Sequence, residues 1–182
     1  MNFCSHCAAA LEQHIPEGDT RLRWVCPACA TIHYENPRLV VGTIPVWGEQ
    51  VLLCRRAIEP RRGFWTLPAG FLELGESTAD GASRETLEEA GAEVELLPLF
   101  SAYDVLHVGQ VHLFYRARMR SAAFEAGIES LEVRLFDERD VPWGELAFRT
   151  VRMTLEAFFA DRRLGQFGVH VGPVLPAPRV AA

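Results

Sequence analysis

The alternation of apolar and polar positions divides the chain into short strands and two helices. The apolar runs 38–47 and 50–57 flank Gly48-Glu49, and two such runs around a two-residue connection predict a β-hairpin. Further strands are predicted at 65–71, 92–108, 110–119 and 131–143. Strands mixed with two helices predict an α/β (α+β) fold with a mixed sheet.

The two predicted helices have different signatures. The first spans 77–90, because Ser77 with Asp80 three residues later is a capping pattern and Gly91 is a typical stop. The second spans 145–163, where apolar residues recur at helical spacing. Its predicted apolar face contains Leu146, Val151, Leu155, Phe158 and Phe159.

Composition narrows the class of protein. The chain has 182 residues, of which 49% are hydrophobic and 23% charged, as in a globular protein with a substantial core. The net charge of −6 disfavours nucleic acid as a general partner, which would need a basic surface. All eighteen basic residues are arginines, so any phosphate contact would fall to a guanidinium. The sequence predicts a cytoplasmic protein without a signal peptide or membrane span.

Four cysteines, Cys4, Cys7, Cys26 and Cys29, form two C-x2-C pairs separated by 18 residues. This spacing is typical of a zinc ribbon, in which four thiolates hold a structural Zn²⁺. The alternatives are disulfides or a redox pair, which a reducing compartment disfavours. We therefore expect a zinc ribbon over 1–33, a main domain over 34–165 and a C-terminal tail over 166–182, the tail being poorly ordered from 172 because it is rich in Pro and Ala.

Three details of the cysteine pattern yield further expectations. Ala8 and Ala30 follow the second cysteine of each pair, where zinc ribbons often have glycine, so we expect slight strain there. His6 lies between the first two cysteines and could compete as a ligand. Cys54 falls within a predicted apolar strand and is expected to be buried rather than nucleophilic.

The first helix is unusually acidic. Taking Glu85 as zero, the helical rotation of about 100° per residue places Glu89 near +40° and Glu88 near −60°. Clustered carboxylates repel one another unless a cation lies among them, and hard divalent ions such as Mg²⁺ or Mn²⁺ prefer oxygen ligands. The opposite side of the helix is predicted to pack on the sheet through Ala79, Ser83, Leu87 and Ala90.

The stretch from 70 to 92 resembles the Nudix box. The matching residues are Gly70, Glu76, Arg84, Glu85, Glu88, Glu89 and Gly91. Thr86 and Ala92 replace aliphatic residues of the family pattern, and both changes are expected to affect packing only. The resemblance implies an α/β/α sandwich that hydrolyses nucleoside diphosphates linked to another moiety.

The resemblance also assigns roles to individual residues. Glu85, Glu88 and Glu89, with the carbonyl oxygen of Ala69, match the ligands of the catalytic Mg²⁺ or Mn²⁺, and Glu76 matches the residue that pairs with Arg84. A downstream acid often assists in this family. Glu129 and Glu132 are the candidates, and Glu132 is preferred for its distance from the following strand.

Substrate contacts are expected from arginines and aromatic residues near the box. Among Arg55, Arg56, Arg61 and Arg62, one or two are expected to contact phosphate, with Arg55 and Arg61 taken as candidates. Tyr34, Phe64 and Trp65 are candidates for stacking on a base, with Tyr34 and Trp65 preferred. The alternative for the aromatic residues is core or interdomain packing.

The resemblance extends to zinc-ribbon Nudix enzymes, which suggests a small-molecule nucleotide substrate and a homodimer. NADH pyrophosphatases carry Ser-Gln-Pro-Trp-Pro-Phe-Pro after the box, and residues 99–119 lack it. ADP-ribose or FAD is therefore favoured. NADH or NAD-capped RNA is an alternative substrate, and a non-catalytic ligand sensor with a zinc-ribbon binding module is an alternative function.

Overall fold

The computed structural model describes residues 1–175 and contains two compact units, residues 1–36 and the chain from Pro37 onward. The smaller unit is an antiparallel three-stranded sheet that follows the order of the chain. Its strands are β1 (Glu12–His14), β2 (Arg23–Val25) and β3 (Ile32–His33). The boundary between the units lies three residues beyond the predicted end of the ribbon at 33.

The two cysteine turns of the smaller unit have matching backbone geometry. Ala8 N–H donates to the carbonyl of Cys4 at 2.9 Å, and Ala30 N–H donates to that of Cys26 at 2.8 Å. Both alanines adopt left-handed conformations, with φ of 61° and 58°. Because that region costs an L-residue about 1 kcal/mol, the predicted strain is present in both turns.

The larger unit is built on an eight-stranded mixed sheet. Its strands are β4 (Arg38–Trp47), β5 (Gln50–Arg56), β6 (Trp65–Thr66), β7 (Ala69–Phe71), β8 (Val94–Val105), β9 (Gln110–Met119), β10 (Ser130–Phe136) and β11 (His170–Pro173). The main path runs β10-β5-β4-β9-β8-β11, in which β4 and β9 are parallel. The predicted hairpin is confirmed as β4 and β5.

The segment 65–71 forms two short strands where the sequence predicted one. The hairpin strands β4 and β5 pair directly only next to their turn, through Val46 with Val51 and Trp47 with Gln50. Farther along, β6 pairs with β5 and β7 pairs with β4. Leu67 and Pro68 separate β6 from β7, so the chain crosses from one hairpin strand to the other immediately before the acidic helix.

The two helices are α1 (Thr78–Ala90) and α2 (Arg149–Leu164). Side chains of a strand point alternately to opposite faces of the sheet. Leu52 and Cys54 pack with Ala90 of α1, whereas Leu53 packs with Leu155 of α2. The sheet therefore lies between the helices, which confirms the α/β/α sandwich. Within residues 1–175, no helix combines the length and hydropathy that a membrane crossing requires.

Two predictions about the C-terminal part are wrong. Leu146 precedes α2, follows the 3-10 turn Trp143–Glu145 and bridges to Trp65, so it is not part of the helix. Residues expected to be poorly ordered from 172 instead contribute to β11, which pairs in parallel with β8. This pairing is non-local, and the Pro-rich sequence gave no sign of it. The remainder of the predicted tail, 176–182, lies outside the described residues.

Candidate active site

The acidic helix begins and ends as its sequence predicts. The hydroxyl of Ser77 accepts the backbone N–H of Asp80 at 3.1 Å, which caps the N-terminus of α1. At the other end Gly91 has φ of 58° and donates its N–H to the carbonyl of Leu87 at 2.8 Å. Both capping predictions are confirmed.

Two glycines allow the preceding loop to lie against α1. A Cβ at Gly70 would come within 2.4 Å of the Glu85 carboxylate. A Cβ at Gly81 would come within 2.7 Å of Oε1 of Glu76. Any side chain at either position would displace a carboxylate, so these glycines maintain the spacing between loop and helix.

Arg84 lies among three carboxylates and links them. Its Nε and Nη2 donate to the two oxygens of Glu76 at 3.0 and 2.8 Å. Its Nη1 donates to Glu85 at 2.8 Å and to Glu88 at 3.1 Å. The two-pronged bond from Arg84 lowers the pKa of Glu76 to about 2, so this carboxylate stays ionised. One guanidinium therefore offsets part of the repulsion that the sequence implied.

The carboxylates differ sharply in exposure. Glu88 is exposed, whereas Glu89 is only 7% exposed and accepts the backbone N–H of Ala69 at 3.1 Å. Burial raises the pKa of Glu89 to about 8, and the neighbouring charge of Glu85 adds to this effect. Burial also raises the pKa of Glu85, although Arg84 opposes the shift. A nearby cation would therefore stabilise the ionised form of Glu89.

The buried face of α1 matches the prediction only in part, since Ala90 is completely buried as expected. Leu87 is 52% exposed, so its predicted packing on the sheet is wrong. Thr86 is instead completely buried and donates its hydroxyl hydrogen to the carbonyl of Ala82 at 2.8 Å. Its oxygen lies 2.6 Å from the hydroxyl of Thr43 on β4. A buried hydroxyl pair thus occupies the place of the aliphatic contact expected in the family pattern.

The preferred downstream acid, Glu132, interacts with an arginine rather than with the helical carboxylates. It is in β10, where its carboxylate is 3.8 Å from Nη1 of Arg55. Glu129 lies immediately before β10, and its negative charge raises the pKa of both Glu85 and Glu89. Glu129 is therefore electrostatically coupled to the helical carboxylates, whereas Glu132 pairs with Arg55.

The loop that carries Glu129 is attached to the end of α1. Glu125 N–H donates to the carbonyl of Ala90 at 2.8 Å, and Gly127 N–H donates to that of Glu89 at 3.1 Å. A Cβ on Gly127 would lie 1.8 Å from the carbonyl oxygen of Glu88, so only glycine fits this approach. These contacts place the loop beside the helical carboxylates.

The arginines before the box have different surroundings. Arg55 donates from Nε to the carbonyl of Gly63 at 2.9 Å, and Arg61 lies over the ring of Phe64 at 5.4 Å. Arg56 lies over Phe148 at 5.1 Å, and its charge lowers the pKa of Glu89. Of the arginines before the box, Arg56 is therefore coupled to Glu89, although the sequence analysis preferred Arg55 and Arg61.

The three aromatic candidates also differ in exposure and surroundings. Trp65 is 6% exposed and meets Phe136 edge to face at 4.9 Å, so its expected role in base stacking is wrong and it is a core residue. Phe64 is half-buried. Tyr34 belongs to the smaller unit, where it is 61% exposed with Arg23 at 5.0 Å from its ring centre.

A separate cluster of four cysteines lies in the smaller unit. The sulfurs of Cys4 and Cys29 are 3.7 Å apart and those of Cys7 and Cys26 are 3.4 Å apart, and all four lie within 4.8 Å of one another. Tetrahedral zinc with bonds of about 2.3 Å separates sulfurs by about 3.8 Å, which fits this cluster. None of these cysteines is in a disulfide.

Histidines near the thiolates have roles that the sequence did not reveal. Nε2 of His33 lies 3.3 Å from the sulfur of Cys4, and such a partner orients a metal ligand. His6 contacts the same sulfur only through its backbone N–H, at 3.3 Å, and its ring is not part of the ligand cluster.

The prediction that Cys54 is buried is confirmed, and burial raises the pKa of its thiol.

Three features define a Nudix-type domain: the loop before α1, the acidic helix and the α/β/α sandwich that holds them. A zinc-ribbon module precedes this domain. The Nudix domain model matches residues 36–153, and the Nudix N-terminal zinc-ribbon model matches residues 2–35. The chain belongs to the Nudix hydrolase family.

Several proteins are similar to this chain, over different fractions of its length. A Nudix hydrolase structure from Nitrosomonas europaea is 49% identical, covers 96% of this chain and 100% of its own, and has a TM-score of 0.91. The ADP-ribose pyrophosphatase of Methanocaldococcus jannaschii is 30% identical over 63% of this chain and 69% of its own. The NAD-capped RNA hydrolase NudC of Vibrio vulnificus is 32% identical over 56% of this chain. The chain spans only about a quarter to two fifths of the length of several curated relatives that it matches.

Proposed function

We propose that this protein hydrolyses the diphosphate bond of a nucleoside diphosphate linked to a second moiety, with ADP-ribose or FAD as the favoured substrate. The observation that carries the proposal is the complete carboxylate set on α1, held together by Arg84 while Glu89 is buried against Ala69. The products would be a nucleoside monophosphate and the phosphorylated second moiety.

The residues of this site fit hard divalent cations. Glu85, Glu88 and Glu89, with the carbonyl of Ala69, would hold Mg²⁺ or Mn²⁺ through oxygen atoms. Bound cations would offset the charge of the diphosphate, which otherwise repels an attacking oxygen. Glu76 contributes indirectly, because it fixes Arg84 and thereby the position of the loop. The four thiolates in the smaller unit would hold structural Zn²⁺.

Glu129 is our candidate for orienting or deprotonating the attacking water. It is exposed, precedes a strand and influences the protonation of two helical carboxylates. Glu132 is instead beside Arg55. A general base must reach the water that it activates, so proximity to the carboxylate cluster favours Glu129.

Arg56 is our candidate for contact with the diphosphate. Its guanidinium is half-buried over Phe148 and is electrostatically coupled to Glu89. A planar guanidinium binds two phosphate oxygens at once, and no lysine in this chain could substitute for it. Tyr34 remains a proposed contact for a base, since it is exposed in the smaller unit.

The choice of substrate rests on sequence features and on relatives. The absence of the Ser-Gln-Pro-Trp-Pro-Phe-Pro stretch disfavours NADH, and one relative with substantial mutual coverage is named as an ADP-ribose pyrophosphatase. NADH or NAD-capped RNA is the alternative, supported by relatives of those names that match about half of this chain. A non-catalytic sensor is less consistent with a complete carboxylate set.

A substrate panel tests the proposal. The purified full chain would be incubated with Mg²⁺ or Mn²⁺ and ADP-ribose, FAD, NADH, a nucleotide sugar or NAD-capped RNA, and nucleoside monophosphate release would be measured by chromatography. We expect the highest kcat/KM with ADP-ribose or FAD. Faster turnover of NADH or capped RNA would support the alternative, and no turnover of any substrate would contradict the proposal.

Matched variants test the roles of the acids. Glu89→Gln and Glu129→Gln should each lower kcat by about 100-fold or more, the scale of losing general acid–base or electrostatic assistance. Glu132→Gln and Leu87→Gln should change kcat less than about threefold, because neither side chain is assigned to the cation or the water. A larger loss for Glu132→Gln than for Glu129→Gln would reverse our assignment.

A further inference from the structure

A second concave site lies on the α2 face of the sheet. It is a cavity of about 680 Å³ at the turn between β4 and β5 and the C-terminal end of α2. Its lining includes Trp47, Leu97, Arg116, Phe158, Arg162 and Phe167. This volume falls within the usual range for small-molecule sites, and none of these residues belongs to the acidic site.

An irregularity in β8 accounts for the space. The register of β8 against β9 shifts twice, between Leu96 and Leu99 and again between Leu99 and Ser101. Leu97 lies inside the first shift, next to Pro98, which has no N–H to donate to the sheet. Bulges of this kind redirect side chains and interrupt pairing, so the sheet surface is open at this point.

Arg116 is the unusual residue of the cavity. It is half-buried on β9, and its guanidinium lies 4.0 Å from the ring centre of Phe167. Within residues 1–175 it has no ion pair or side-chain hydrogen bond, and burial lowers its pKa. The nearby acid, Asp161, is already bonded to His170 at 2.9 Å. The charges of Asp161 and Arg116 interact, but the two side chains form no ion pair. A half-buried guanidinium without a bonded acid favours the binding of an anion.

The other two arginines of the cavity already have partners. Arg162 donates to the carbonyl of Glu49 at 2.6 Å and lies over Phe159 at 4.9 Å. Arg118 is exposed and pairs with Glu95 at 3.3 Å. They add positive charge near the opening, whereas Arg116 supplies the cation that lacks a bonded acid.

We propose that this cavity binds a small anion that carries a flat aromatic ring, with Arg116 as its anion-binding residue. Trp47 is 40% exposed and offers an aromatic surface, and Leu97 and Phe158 supply apolar walls. An aromatic surface beside a guanidinium that has no ion-pair partner suits a ligand such as a nucleoside monophosphate. This site would be separate from the proposed site of hydrolysis.

Calorimetric titration with AMP, with no divalent cation added, tests the proposal on the full chain. Adenosine and inorganic phosphate, tested separately, would isolate the ring and the charge. We expect AMP to bind more tightly than either, and Arg116→Gln to weaken AMP binding at least tenfold. Arg118→Gln is the matched control and should weaken it less than twofold, because Arg118 is exposed and already paired.

Three outcomes would overturn the proposal. They are no AMP binding, equal AMP affinity in Arg116→Gln and the parent, or a dimer in sedimentation that Trp47→Glu dissociates, since the cavity would then be an interface between copies. If Arg116→Gln unfolds, Arg116→Lys retains the charge and should weaken AMP binding by a smaller factor. Binding is read without catalysis, so the result is independent of the proposed hydrolysis, which Arg116→Gln should leave unchanged.

Discussion

The thiolate cluster and the carboxylate cluster are both predicted metal sites, but the protein balances their charges in opposite ways. Around the thiolates of Cys4, Cys7, Cys26 and Cys29, the His33 imidazole lies 3.3 Å from the Cys4 sulfur, and a metal bound by all four sulfurs would neutralise the cluster. Around the carboxylates, Arg84 bonds three acids and burial favours the protonated form of Glu89. The second site can therefore fold without a metal, as the proposed exchange of cations and products would require.

The strongest way to break this comparison is to remove one thiolate. Cys26→Ser should abolish stoichiometric zinc and unfold residues 1–36, because structural zinc contributes about 10 kcal/mol to the folding of small zinc domains. Zinc content and amide NMR spectra would measure both effects. The spectrum of the larger unit should persist, and retention of one zinc per chain would contradict the assignment.

Glu89→Gln tests whether the carboxylate site is strained when no cation is bound. Because the folded pKa of Glu89, about 8, exceeds the usual value of 4.5, the folded state holds a proton that the unfolded state releases. The free energy of unfolding of the parent should therefore fall as pH rises from about 5 to 8, by about 2 to 4 kcal/mol.

The glutamine variant cannot ionise, so its stability should lack this decline over the same pH range. Urea unfolding at several pH values, without divalent ions, would measure the difference. Parallel pH profiles of parent and variant would show that Glu89 is already ionised in the metal-free protein.

Arg84→Gln tests whether the arginine replaces the metal as a source of stability. It should lower the melting temperature by several degrees, because Glu76, Glu85 and Glu88 lose their shared partner. Added Mg²⁺ should raise the melting temperature of the variant more than that of the parent, since binding stabilises only the folded state. Arg118→Gln, which loses one exposed pair, is the control. An unchanged melting temperature would argue against this role of Arg84.

The smallest expected effect concerns strain in the ribbon. Ala30→Gly should strengthen zinc binding by about twofold, because relief of the left-handed alanine slightly exceeds the entropy that glycine adds to the unfolded chain. Competition with a chelator would measure it. Ala10→Gly is the control, since its backbone is not left-handed. Weaker zinc binding in Ala30→Gly would show that the turn is not strained.

Local signals predicted the elements well, whereas long-range partners were beyond the sequence. The hairpin turn at Gly48-Glu49 and the helix caps at Ser77 and Gly91 depend only on backbone groups a few residues away. The local sequence was therefore enough to predict the hairpin and the helix. Helical spacing gave the relative angles of the carboxylates and the burial of Ala90, but not the burial of Thr86. Thr86 is bonded to Thr43, which lies 43 residues away in the sequence.

The same limit applies to individual residues around the acidic site. Glu129 and Glu132 are three residues apart, and only the contact of the loop with α1 distinguishes them. Arg55 and Arg56 are adjacent, yet strand alternation sends them to opposite faces. Trp65 is of a residue type that often stacks on bases, but its ring packs edge to face against Phe136 in the core.

The close approach of Gly127 to α1 limits where this protein can gain residues during evolution. Because Glu125 and Gly127 bond the last carbonyls of the helix, an insertion between 125 and 129 would separate the acidic loop from the helix. An insertion at 121–123 would precede these anchors and lengthen an exposed turn. Lineages that alter the rim of the acidic site are therefore expected to vary in length before Glu125 and to keep the spacing from 125 to 129 fixed.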